Sequence, residues 1–179
     1  MAKVLPVAEK VLISQLLEVQ AHEFYEGAEC IRKARPLGAG DSSYFLRLMA
    51  IELYFKLIYL LDTESLIFGH DLREIFDLMP RSSRTAILTL FNQGLRKQLD
   101  LPEFREWLKY LGDLFVKIRY PFDEFREMPI EEYEAKVKRF EQAPAHDFAD
   151  ASIVYHIDRV SALAAALRTR VSTQHGESA

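Results

Sequence analysis

The chain has 179 residues, enough for one domain with a sizeable core. Its net charge of −4 argues against broad, sequence-independent nucleic-acid binding, which leaves a basic footprint. The single cysteine, Cys30, excludes an intrachain disulfide and a Cys-based zinc site, and fits a reducing, cytoplasmic setting.

Scarce Gly and Pro and no sustained alternation of apolar and polar residues favour helices throughout. The first helix is expected from about Leu5 to Arg35, with Pro6 in its opening turn. Leu5, Leu12, Leu16 and Val19 form its apolar stripe, extended by Phe24, Ala28 and Ile31, while Glu9, Lys10, Glu18, Glu23, Glu26 and Glu29 face solvent. The N-terminal residues Met1 to Pro6 lack a signal-peptide core and cleavage pattern.

Pro36-Leu37-Gly38-Ala39-Gly40 breaks the chain, and Asp41, Ser42 or Ser43 is the expected N-cap of a second helix running to Leu61. That helix is apolar on nearly every side and belongs in the middle of a bundle. Arg47, Glu52 and Lys56 argue against a membrane span, since each charge would cost about 2.5–3.5 kcal/mol at a bilayer centre. Glu52 and Lys56 lie one turn apart in the favourable order for an ion pair.

A loop from Asp62 to Gly69 precedes a short helix, Leu72 to Met79, capped by Asp71 or His70 and ended by Pro80. Ser82 or Ser83 is the expected cap of a fourth helix carrying Ile87, Leu88, Leu90, Phe91 and Leu95. The fifth starts at Pro102 and ends at Arg119-Tyr120 before Pro121. Residues 122–150 read as an irregular insertion with one short helix, Ile130 to Phe140. The last helix is expected from about Ala151 to Val171, along Ile153, Ile157, Val160, Ala164, Leu167 and Val171, with 172–179 a frayed tail. The expected fold is therefore all-α: one domain over 1–179, an up-and-down bundle of five to six helices.

Four segments in this order resemble the HEPN superfamily, the helical domains named for higher eukaryote and prokaryote nucleotide binding. They are Ala21-His22-Glu23-Phe24-Tyr25-Glu26-Gly27-Ala28, Ile51-Glu52-Leu53-Tyr54-Phe55-Lys56, Gly69-His70-Asp71-Leu72 and Arg119-Tyr120-Pro121. The resemblance covers roughly residues 5 to 121. It implies a helical bundle, homodimerisation, and a role near nucleotides or RNA in a toxin or antiviral defence system. Many members are metal-independent ribonucleases; others bind nucleotides or partner proteins without catalysis. Catalytic members carry an Arg followed a turn or two later by a His on one helix, and here no His follows Arg119 in range. Arg139 with His146, and Arg168 or Arg170 with His175, have the spacing, but Pro144 interrupts the first and the others fall towards a polar tail. Chance alone supplies about one such match.

Metal-independent RNA cleavage needs a group that takes the 2′-hydroxyl proton and a cation that stabilises the phosphorane. His70 suits the first role and Arg119, with its forked guanidinium, the second. The bland alternatives are a His bonding a backbone carbonyl at a helix start and a cation at a helix C-terminus. Glu52, Lys56, Asp71 and Tyr120 are candidate ligand-binding residues around them. Their structural alternatives are a buried ion pair setting helix register, an N-cap and a packed ring. No metal or cofactor is expected: His146, Asp147, Asp150, His156 and Asp158 cluster without a metal-site pattern, and Gly38-Ala39-Gly40 lacks the rest of a phosphate loop. The leading expectation is a HEPN-like nucleotide- or RNA-binding protein. A metal-independent ribonuclease comes next, and a non-catalytic dimerising module that docks a partner protein third. Nothing in the chain points to DNA or a membrane.

Overall fold

The computed structural model describes residues 6–34, 40–119, 128–142 and 155–177, without the side chains of 40, 41, 119, 140, 141 and 175–177. Among the described residues the fold is all-helical, with seven helices where five to six were expected. They are α1 (Val7–Ala34), α2 (Gly40–Thr63), α3 (Leu72–Leu78), α4 (Arg81–Gln93), α5 (Leu101–Arg119), α6 (Ile130–Gln142) and α7 (Ile157–Glu177). No helix among them is long and apolar enough to cross a membrane.

The near-continuous apolar surface of α2 makes it the hub, packed against α1, α3, α5 and α7. Leu48, Ala50, Ile51, Phe55, Leu57 and Ile58 are buried on successive faces of the helix, so that no side of its middle section is free of neighbours. A second knot of the core is aromatic: Phe76 of α3, Phe91 of α4, and Phe104 and Trp107 of α5 meet with ring centroids 4.8–6.1 Å apart. Each such ring removes a large apolar area from water, and the edge-on and offset contacts fix how α3, α4 and α5 sit together.

Several boundaries and faces differ from expectation, each for an identifiable reason. The face of α1 that enters the core runs through Leu17, Ala21, Phe24 and Ala28; Phe24 and Ala28 were expected there, whereas Leu12, Leu16 and Val19 of the expected stripe are about half exposed. Two apolar stripes run side by side on this helix, and the one carrying alanines lets α2 approach closely. Asp41, Ser42 and Ser43 fall inside the first turn of α2, and Ser43 is buried. Neither Ser82 nor Ser83 caps α4. Pro80 stands at the cap position, and the buried Ser83 hydroxyl accepts a hydrogen bond from Arg170 Nη2 at 3.2 Å. At α5 the helix begins at Leu101, one residue before the expected start, and the cap is Asp100. Its Oδ1 accepts from Glu103 N at 2.8 Å, while Glu103 Oε2 accepts from Asp100 N at 3.1 Å, a reciprocal capping box.

The short helix expected from Ile130 to Phe140 is present and runs two residues further, to Gln142. α7 begins at Ile157, and its expected opening from Ala151 lies outside the described residues. At its other end α7 continues to Glu177 instead of fraying after Val171. Gln174 Nε2 donates to Asp62 Oδ1 at 2.6 Å, and Arg170 lies 3.6 Å from the same carboxylate, so the end of α2 holds this last stretch. Val160, Ala164, Leu167 and Val171 are buried as expected, whereas Ile157 is exposed.

Candidate functional site

The segment Gly69-His70-Asp71-Leu72 delivers an imidazole back onto the middle of α2, and each of its residues has a separate task. Gly69 has φ +102°, a backbone conformation that side chains resist, and it turns the chain after α2. Asp71 is the N-cap of α3: its Oδ1 accepts from Arg73 N at 2.9 Å and from Glu74 N at 3.0 Å. Leu72 is buried and anchors the helix start in the core. Between them His70 is aimed at Glu52.

His70 Nδ1 lies 2.9 Å from Glu52 Oε1 and 3.0 Å from Oε2. An ionised carboxylate only accepts, so Nδ1 carries the hydrogen and Nε2 is the nitrogen left for other chemistry. Glu52 also accepts from Lys56 Nζ at 2.7 Å. The side chains grade from inside to outside: Glu52 is 8% exposed, Lys56 17% and His70 64%. A buried carboxylate thus holds two cationic or proton-carrying groups, one of which projects into solvent. Phe115 of α5 flanks the imidazole, its ring centroid 6.5 Å away and inclined by 27°, and itself stacks on Phe45 at 5.4 Å.

Of the six residues singled out from the sequence, Glu52, Lys56 and His70 form this one cluster. His70 bonds a buried carboxylate, not a backbone carbonyl. Asp71 serves as the helix cap and leaves the cluster to its neighbour. Arg119 closes α5 one turn beyond Phe115, and its side chain and the whole of Tyr120 lie outside the described residues. Phe115 was visible only as part of the amphipathic stripe of α5; its place beside His70 depends on how α5 packs against α3.

A second ionic cluster on α2 had no counterpart in the sequence reading. Arg47 is buried and pairs through Nη2 with Glu29 of α1, while its Nη1 donates to Ser161 Oγ of α7 at 3.1 Å. Glu29 also receives Arg32 at 2.8 Å. Burial works against the Glu29 charge, but hydrogen bonds and attraction from Arg32 and Arg47 win and hold its pKa below the ordinary value of 4.5. The sequence signal was an Arg in the apolar first half of α2; Glu29, expected to face solvent, is drawn in to meet it.

Among the described residues no three His, Cys, Asp or Glu side chains gather as a metal site would require. His146, Asp147 and Asp150 lie outside that description, as do His146 of the Arg139 spacing and the side chain of His175. Arg168 and Arg170 sit on α7 itself and not in a tail. No protein-family model, curated protein or solved structure matches the chain.

Proposed function

We propose that this chain is a HEPN-like nucleotide- or RNA-binding protein whose site is centred on His70, with Glu52 and Lys56 behind it. The observation that carries this reading is the grip of a buried carboxylate on an exposed imidazole. With Nδ1 bonded to Glu52, a protonated ring has its Nε2–H left to donate to a phosphate oxygen. The bond at Nδ1 fixes the ring, so little orientational freedom is lost on binding. Arg119, at the end of the helix that carries Phe115, is the candidate second phosphate contact.

The same geometry favours one further reading, metal-independent RNA cleavage. In the neutral ring Nε2 carries a lone pair and can take the 2′-hydroxyl proton, while Glu52 stabilises the imidazolium that results. The attacking 2′-oxygen then forms a bond to phosphorus as the 5′-oxygen leaves, giving a 2′,3′-cyclic phosphate. Arg119 is the candidate partner of the charged phosphorane.

Fluorescence anisotropy with short labelled single-stranded RNAs and with labelled nucleotides, in EDTA, tests binding. The wild type should bind, and Glu52→Gln should weaken binding roughly tenfold through the loss of one charge-assisted hydrogen bond. Absence of binding, or equal binding by the variant, would remove the proposal. Gel analysis of the same mixtures separates the two readings: new 2′,3′-cyclic ends that disappear with His70→Ala mark cleavage, and intact RNA marks binding alone.

A further inference from the structure

The motif Ala21-His22-Glu23 of α1 and Arg168 of α7 play no part in the His70 cluster, yet they meet elsewhere. A cleft of about 400 Å³ opens between α1 and α7, within the size range of small-molecule sites. Glu18, His22 and Glu23 stand on its α1 side and Arg168 on its α7 side, and the buried Tyr54 of α2 lies at its base. Val19 and Val171 supply apolar lining.

The charges across this cleft are complementary and not joined. Arg168 is half-buried, and its guanidinium sits over the Tyr25 ring, 4.4 Å from the centroid. That contact fixes the guanidinium in place without neutralising it. No carboxylate among the described residues lies within ion-pair distance of Arg168, although two line the same cleft. Among the described residues Glu23 likewise has no cation within that distance, whereas Glu18 is already engaged by another group. One carboxylate and one guanidinium therefore face a shared space, each open to a partner of opposite charge. Burial raises the Tyr54 hydroxyl pKa, against the attraction of the nearby Arg168, so the phenol stays neutral and can donate a hydrogen bond.

We propose that this cleft binds a free α-amino acid with an apolar side chain. Its carboxylate would lie on Arg168, its ammonium on Glu23, and its side chain against Val19, Val171 and the Tyr54 ring. A simple anion would meet two carboxylates, and a simple amine would meet Arg168. A zwitterion satisfies both sides at once, and the apolar lining accounts for the rest of the volume. This site is separate from the His70 cluster, so it stands or falls independently of the nucleotide-binding reading.

The test is calorimetric titration and thermal melting of the full chain with L-leucine and L-phenylalanine at millimolar concentration. N-acetyl-L-leucine, which lacks the ammonium, and L-leucinamide, which lacks the carboxylate, are the comparisons. The free amino acids should bind and raise the melting temperature, and each capped form should bind roughly tenfold more weakly, having lost one charged contact. Glu23→Gln, at an exposed position, should weaken L-leucine to about the same degree while leaving N-acetyl-L-leucine unchanged. Arg168→Met should weaken L-leucine by at least roughly tenfold, as the missing carboxylate does in L-leucinamide. The capped ligands report on the wild type even if that variant fails to fold. No binding of either amino acid, or equal binding of free and capped forms, would overturn the proposal.

Discussion

Two of the ionic clusters that α2 carries, one around Glu29 and Arg47 and one around Glu52, differ in where they end. Glu29, Arg47 and Ser161 tie α1, α2 and α7 together, and Arg47 and Glu29 are only 4% and 18% exposed. Each charge of that triad meets another side chain of the fold, and the half-exposed Arg32 is bonded back to Glu29. Glu52, Lys56 and His70 begin from a more deeply buried carboxylate, 8% exposed, and terminate on an imidazole that is mostly in solvent. A closed cluster can only fix the positions of helices. An open one presents a proton-carrying group, held in orientation by the core, to whatever approaches. On the proposed reading, this contrast is what distinguishes the site from the scaffold.

Substitution should break the two clusters differently. Glu29→Ala leaves Arg47 buried without its carboxylate, and unfolding in urea should show a loss of about 3 kcal/mol. The pH dependence sharpens the point. Glu29 has a depressed folded pKa, so its contribution is complete above the unfolded value of 4.5 and is lost as pH falls through the lower folded value. Acid unfolding curves of the wild type should therefore steepen below about pH 4.5, and Glu29→Gln should flatten that limb.

Around the open cluster the costs should be smaller. Gly69→Ala forces a side chain into the positive-φ turn before His70 and should cost about 1–2 kcal/mol, read by the same denaturation. Asp71→Ala removes the α3 cap and should cost about 1 kcal/mol. His70→Ala removes one of the two groups bonded to the buried Glu52 while Lys56 stays, and should cost no more than about 1 kcal/mol in the same denaturation.

Features governed by local rules were legible in the sequence. Asp71 as a cap and Glu52 beside Lys56 follow from spacings within one helix, and the apolar girth of α2 placed it at the centre. Features governed by tertiary contact were not. The His70–Glu52 bond spans 18 residues and exists only because α3 folds back along α2. The final turns of α7 carry no apolar signal, and Asp62 at the end of α2 holds them. On α1 two apolar stripes were available, and only packing against α2 chose between them. The Asp100–Glu103 box was legible and missed, because Pro102 offered a competing start signal one position inside the helix.

The most direct measurement is anisotropy of a labelled single-stranded RNA in EDTA with the wild type, His70→Ala and Glu29→Gln, each checked by circular dichroism. The expected result is binding by the wild type and by Glu29→Gln, and at least roughly tenfold weaker binding by a fully folded His70→Ala. Equal affinity of His70→Ala and wild type, or no binding by any of the three, would contradict the assignment of the open cluster as the site.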